Sequence, residues 1–178
     1  MNPYDILDIY YEAGSDSRRI LITHSEAVAA KAVEIAGRHP EMRIDCDFVY
    51  EAAMLHDVGV FMCDAPSIGC FGSEPYIRHG LLGAEILRQA GYERHARVCE
   101  RHTGTGLTAV SILEQGLPLP CADFLPESAE EQLICFADKF FSKTHPDREK
   151  SVDEARRSLL RFGDESVRRF DEWCALFL

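Results

Sequence analysis

The sequence lacks the features of a membrane-spanning or secreted protein. Among its 178 residues, no apolar run approaches the ~20 residues that a membrane-crossing helix needs. Its beginning, MNPYDILDIYYEAG, carries acids early and has no basic segment followed by an apolar core, so it does not resemble a signal peptide. We therefore expect a cytoplasmic protein without a membrane partner.

Basic residues are scarce relative to acidic ones. The chain has 19 lysines and arginines against 30 aspartates and glutamates, which gives a formal net charge of −11. Such a charge repels the phosphate backbone of nucleic acids, so we expect no binding to nucleic acid duplexes. A small phosphorylated ligand stays possible, because bound dications would reverse the sign of the charge locally.

Paired cysteine motifs are also missing. The chain has seven cysteines, and no two of them are spaced as Cys-x-x-Cys. This excludes zinc-ribbon and thioredoxin-like redox motifs. We expect reduced thiols, several of which fill the core.

Strand-like alternation and internal repeats are absent, whereas helical periodicity dominates the chain. The loop-like stretch 64–79 holds two prolines and two glycines. We predict an all-α, single-domain helical bundle over residues 1–178. Its predicted helices are 3–12, 17–37, 45–57, 80–91, 92–102, a short helix from Thr108, a helix from Ser128 to Phe141 that Pro146 follows, and two C-terminal helices within 151–177 that Gly163 separates.

Histidines and aspartates occur at informative places on these helices. Most lie in or at the end of a helix, and Asp138 stands inside the apolar segment LICFADKFF, where an ionised carboxylate is costly unless it is paired or coordinated. Helix bundles build metal sites from such inward-pointing side chains on facing helices. Each residue alone also has an ordinary explanation, as a core histidine, a helix cap or a solvated acid. The six are His24, His56, Asp57, His79, His102 and Asp138.

Together these motifs resemble the HD superfamily of metal-dependent phosphohydrolases. The matching motifs are LITHSEAV, LHDVGV, YIRHGLLGAEIL, CERHTGTG and FADKF, and HDVG is close to the common HDIG form. The resemblance extends over about residues 18–143, and it is strongest to compact single-domain prokaryotic members. No Gly-Tyr-Pro segment follows the later histidines, so the cyclic-dinucleotide phosphodiesterase branch is not supported.

The resemblance implies a metal-dependent phosphohydrolase that acts on a small phosphorylated substrate, foremost a nucleotide, by attack of metal-bound hydroxide. His24, His56 and Asp138 would hold one metal together with Asp57. Asp57 would bridge to a second metal held by His79 and His102, which makes Asp57 the expected catalytic residue. Such mixed ligands suit iron, manganese, zinc, nickel or cobalt, and we expect two metals rather than one.

The substrate-binding residues are less well defined by the sequence. Arg78, Arg101, Lys139 and Lys143 lie close to the expected ligands and are candidates for binding phosphate, although each is more typical of a solvated surface. Two other functions remain open. One is a di-iron oxygenase of a small polyol or phosphonate, and the other is a non-catalytic sensor of nucleotide and metal.

Overall fold

The computed structural model describes residues 1–145 and 148–178, and it confirms the all-α prediction. Pro146 lies outside these residues. Within them, the chain forms nine α-helices and one pair of short strands. The helices are α1 (Pro3–Tyr10), α2 (Asp16–Arg38), α3 (Cys46–Leu55), α4 (His79–Gln89), α5 (Glu93–Arg101), α6 (Ala109–Glu114), α7 (Ala129–Asp138), α8 (Val152–Leu159) and α9 (Asp164–Phe177).

Side-chain caps fix where several helices begin. Asp45 accepts a hydrogen bond of 3.1 Å from a first-turn amide of α3. At α8, Ser151 and Glu154 each accept a hydrogen bond from the other's backbone amide, which is the predicted reciprocal capping box. These starts agree with the sequence because a cap depends only on residues within the same turn.

Helix α7 differs from its prediction at both ends. Ser128 caps it as expected, but the Glu131 carboxylate binds an amide outside the helix instead of returning to Ser128. The helix ends at Asp138, short of the expected Phe141. Beyond Asp138 the hydrogen bonds tighten to a spacing of three residues, which turns the chain out of the helix.

The predicted loop 64–79 contains regular structure that the sequence did not indicate. Strand β1 (Asp64–Ala65) pairs antiparallel with β2 (Cys70–Phe71). Two short 3₁₀ turns, Pro66–Ile68 and Tyr76–Arg78, occupy much of the remainder. Strands of two residues are too short to produce an alternating pattern, so no periodicity indicates them.

The core lies where α2, α3, α5 and α7 face one another. Val28, Leu55 and Leu133 are fully buried there. Helix α9 covers α7 through Phe170 and Phe177, whose rings lie 5.4 Å from that of Phe136. Burying side chains of this size contributes about 2–3 kcal/mol each, so the packing of the apolar faces determines how the helices are oriented. The same packing determines where the polar side chains on these helices lie.

Glycines allow α4 to approach its neighbours backbone to backbone. A Cβ atom at Gly59 would overlap the backbone of α4, and one at Gly80 would overlap the Cys99 carbonyl of α5. This contact brings the start of α4 and the end of α5 beside the turn that follows α3. Within the described residues, no helix is long and apolar enough to cross a membrane.

Candidate metal centre

Six histidine and aspartate side chains converge at the centre of the bundle. Five of them are buried, and the Asp138 side chain is 13% exposed. Their donor atoms form two groups that could each hold a metal ion, with all atoms of a group within 4.8 Å of one another. One group is His24, His56, Asp57 and Asp138, and the other is Asp57, His79 and His102.

In the first group, two histidines lie between two carboxylates. Oδ2 of Asp57 is 3.2 Å from Nε2 of His24 and 2.9 Å from Nε2 of His56. Oδ1 of Asp138 is 3.0 Å and 3.5 Å from the same two nitrogens. Helices α2 and α7 contribute one residue each, and the end of α3 contributes the His-Asp pair.

The second group uses the other oxygen of Asp57. Its Oδ1 lies 3.3 Å from Nε2 of His79 and 3.4 Å from Nε2 of His102. The two Nε2 atoms are 3.0 Å apart. Because each carboxylate oxygen of Asp57 faces a different group, this residue has the geometry of a bridging ligand.

Backbone carbonyls determine which nitrogen of three histidines faces the centre. Nδ1 of His56, His79 and His102 lies 2.5, 2.6 and 2.7 Å from the carbonyl oxygen three residues earlier. A carbonyl can only accept, so Nδ1 carries a proton, and Nε2 is the nitrogen that faces the centre and would offer its lone pair to a metal. Metal-binding histidines are oriented in the same way.

Several atoms at the centre have no hydrogen-bond partner within the described part of the chain. These atoms are Nε2 of His24, Nε2 of His56 and both carboxylate oxygens of Asp57. In addition, Nε2 of His79 and Nε2 of His102 face each other at 3.0 Å. Lys143 forms an ion pair with one oxygen of Asp57, and divalent cations would satisfy the remaining buried groups, which are costly to leave without partners. The residues therefore fit a divalent metal with nitrogen and oxygen ligands.

Both carboxylates of the centre are held in the ionised form. Burial raises the pKa of Asp57, but the positive charges of His56 and Lys143 outweigh burial and hold its pKa well below the usual range. Burial acts on Asp138 in the same direction, but Lys139 together with His24 and His56 outweighs it, so the pKa of Asp138 is also held well below the usual range. Ionised carboxylates are the form that binds metal.

The pKa values of two histidines of the centre shift in opposite directions, upwards for His56 and downwards for His102. Burial lowers the pKa of His56, but the Asp57 and Asp138 carboxylates together outweigh it and the pKa rises to about 9. Burial lowers the pKa of His102 to about 4, against the attraction of Asp57. Without a cation at the centre, His56 is thus the imidazole that takes up positive charge, while His102 stays neutral and able to bind metal.

Two of the four predicted phosphate-binding residues lie beside the centre. Nζ of Lys139 is 2.8 Å from Oδ2 of Asp138 and 2.9 Å from the His102 carbonyl oxygen. Nζ of Lys143 is 2.5 Å from Oδ2 of Asp57. Both lysines line a cavity of about 780 Å³ into which four of the six cluster residues open, namely His24, His79, His102 and Asp138.

The structure places the two predicted arginines elsewhere. Arg78 forms an ion pair of 2.6 Å with Glu74. Arg101 donates to the Leu125 carbonyl at 3.1 Å and pairs with Glu127 at 2.8 Å. Neither arginine lines the cavity, so the geometry gives no support to a phosphate-binding role for them.

Aromatic and basic residues complete the wall of the cavity. Tyr76 stacks on His79 with ring centroids 4.7 Å apart, whereas Phe71 is 80% exposed and does not line the cavity. Lys150 and Arg161 also line it, and sequence reasoning missed both. They lie in a charged stretch, DREKSVDEARRSLLRF, in which no local pattern separates one cation from another.

Known proteins resemble this chain over about 69–76% of its length. An uncharacterized protein of Methanocaldococcus jannaschii is 33% identical over 127 residues, which covers 70% of this chain and 68% of that protein. A tRNA (cytidine(56)-2'-O)-methyltransferase of Thermoplasma volcanium is 31% identical over 137 residues, or 76% of this chain. The corresponding enzyme of Picrophilus torridus is 33% identical over 126 residues, or 69% of this chain.

The match spans only about a third of the two methyltransferases, 35% and 32% of their lengths. No solved structure is a significant match. The HD domain family, by contrast, matches residues 21–142, the region that contains all six residues of the centre. The chain therefore belongs to the HD domain family, a superfamily of metal-dependent hydrolases.

Proposed function

We propose that the protein is a metal-dependent phosphohydrolase that acts on a small phosphorylated molecule, with nucleotides as the first candidates. One observation carries the proposal. The two oxygens of Asp57 face two separate groups of ligands, and lysines stand beside these groups on the wall of one cavity. A pair of cations with adjacent lysines is suited to a phosphoryl group, whose oxygens carry negative charge.

The chain's own residues would prepare the site in three ways. Asp57 would fix the spacing between the two ligand groups, and the backbone carbonyls would accept the Nδ1 protons of His56, His79 and His102 and so keep Nε2 directed at the centre. Bound divalent metals would lower the pKa of water and neutralise phosphoryl oxygens. Lys139 and Lys143 would bind oxygens of the same phosphoryl group from the cavity side.

The cavity supports a substrate of nucleotide size. Its volume of about 780 Å³ falls within the ~300–1,000 Å³ that is typical of small-molecule sites. Tyr76 presents an aromatic ring on its wall, and Phe162 also lines it. A base could stack on such a ring, as bases do on aromatic side chains of binding proteins.

The names of two relatives raise tRNA as an alternative ligand. The net charge of −11 is unfavourable for binding a phosphate backbone, and the matched region is only about a third of those enzymes. We therefore favour a small ligand, with no nucleic acid duplex or membrane as partner.

A parallel assay tests the proposed function. Purified protein is loaded separately with Mn, Fe, Co, Ni, Zn or Mg and assayed with nucleotides and other phosphoesters. We expect hydrolysis with at least one transition metal, and a loss of about 1000-fold or more in Asp57→Asn, since several kcal/mol of transition-state stabilisation depend on the metals. His39→Gln, a partly exposed histidine outside the cavity, serves as control and should keep full activity.

Two outcomes would contradict this function. Undiminished hydrolysis by Asp57→Asn would point to a contaminating enzyme. Turnover that requires oxygen, with no hydrolysis under anaerobic conditions, would favour the oxygenase alternative instead.

A further inference from the structure

The cavity extends beyond the metal-binding centre to the segment that carries α8. Lys150 precedes this helix and Arg161 follows it, and both line the cavity. Neither lies within ion-pair distance of Asp57 or Asp138. The two cations therefore belong to the same cavity as the centre without being part of its ligand set.

These cations also lack the acidic partners that are common elsewhere in the protein. Within residues 1–145 and 148–178, neither Lys150 nor Arg161 forms an ion pair, although the chain has 30 acidic residues. Nearby arginines do pair, as Arg156 does with Asp171 at 2.7 Å. In a protein of net charge −11, cations without partners on a cavity wall indicate an anionic ligand.

The positions of the two residues are partly fixed by their surroundings. The backbone amide of Lys150 donates a hydrogen bond of 2.7 Å to the Phe140 carbonyl, which holds it beside the end of α7. The guanidinium of Arg161 lies over the Phe162 ring, 4.8 Å from its centroid. Lys150 is half-buried, and burial lowers its pKa; the charges of Lys139 and Arg161 act in the same direction, and the charge of Asp138 opposes them. A bound anion would oppose this lowering in the same way as Asp138.

We propose that Lys150 and Arg161 bind a second phosphate of the substrate, separate from the one at the metal-binding centre. The substrate class is then a molecule with at least two phosphates, such as a nucleoside diphosphate or polyphosphate. This inference rests on the proposed function, because it takes the metal-binding centre as the place where the substrate is hydrolysed. The two cations make the enzyme selective for such substrates over those with a single phosphate.

A binding experiment tests the second phosphate site without turnover. The full chain is stripped of metal with a chelator and titrated calorimetrically with sodium tripolyphosphate. We expect Lys150→Gln/Arg161→Gln to bind this probe at least tenfold more weakly than the unchanged protein. Arg157→Gln is the matched control, since Arg157 is an exposed arginine of α8 that does not line the cavity. Equal binding by the double variant, or no binding by the unchanged protein, would overturn the inference.

Kinetics then test the selectivity. We expect the ratio of kcat/KM for adenosine diphosphate to that for adenosine monophosphate to fall at least tenfold in the double variant and to stay unchanged in Arg157→Gln. The single variants, each expected to show part of the effect, replace the double variant if it does not fold. If the double variant binds tripolyphosphate more weakly but neither the unchanged protein nor any variant hydrolyses a substrate, the anion site is supported and the proposed function is overturned. An unchanged ratio in an active double variant would overturn the selectivity.

Discussion

Lys139 contacts two residues of the centre at once. Its ammonium group holds the outer oxygen of Asp138 and the carbonyl of His102, which belong to different ligand groups. Removing such supporting contacts lowers metal affinity 10–100-fold in other metal sites. We expect Lys139→Met to weaken metal binding by a similar factor, as measured by competition with a metal-binding dye.

Lys31→Met is the control for this substitution. Lys31 is a lysine of α2 that pairs with Glu149 at 2.6 Å and does not line the cavity. Its loss should leave metal affinity unchanged. Equal weakening in both variants would show that the effect of Lys139→Met comes from general destabilisation and not from its contacts with the ligands.

The residues of the candidate centre differ in how far the sequence could predict them. His24 and Asp138 stand out because a polar group inside an apolar helix needs a partner. Arg78 pairs with Glu74 only four residues earlier, whereas the role of Arg101 could not be judged, since it finds its acid 26 residues later, at Glu127, through tertiary contact. Lys150 was missed for the same reason, because its place on the cavity wall depends on packing against α7.

At the scale of elements, the contact between α4 and α5 determines where the second ligand group lies. Gly80 follows His79 directly, and a Cβ atom there would overlap the Cys99 carbonyl, which accepts the Nδ1 proton of His102. We expect Gly80→Ala to lower the free energy of unfolding by about 1–3 kcal/mol, as overpacking usually does. It should also weaken binding of one metal more than the other, as measured by calorimetric titration.

Gly37→Ala is the control for Gly80→Ala, and we expect it to stabilise the protein. Gly37 lies within α2, and a Cβ atom there would have nothing within 4 Å. Alanine should therefore raise stability by up to about 1 kcal/mol, the usual difference in helix propensity. Loss of metal binding in Gly37→Ala would contradict the assignment of the Gly80→Ala effect to the α4–α5 contact.

The beginnings of elements were easier to predict than their ends and their contacts. Ser151 and Glu154 define the start of α8 within one turn, so a local pattern was sufficient. The end of α7 at Asp138 depends on the turn that follows, which carries Lys139 and Lys143 to the cavity. The approach of α4 to α5 was not predicted, because the sequence shows a glycine but not the carbonyl that it faces.

At the scale of the whole molecule, the centre joins elements that are distant in the sequence. Ligands come from α2, from the end of α3, from α4, from the end of α5 and from α7. Cations bound by these ligands would stabilise the folded chain and not the unfolded one. Ligand at ~100 times its Kd adds about 2.7 kcal/mol of stability, or roughly 5–11 °C in melting temperature for a chain of this size.

We therefore expect the melting temperature to rise by about this amount with a transition metal and to fall on chelation. His79→Gln removes a ligand from the second group only, so it should keep one metal and part of the rise. His24→Gln removes a ligand from the first group only, so it should reduce the rise in melting temperature through loss of the other metal. Scanning calorimetry with metal analysis measures both. One metal per chain in the unchanged protein, lost in His24→Gln and kept in His79→Gln, would contradict a two-metal centre, because Asp57 would then serve only the first group.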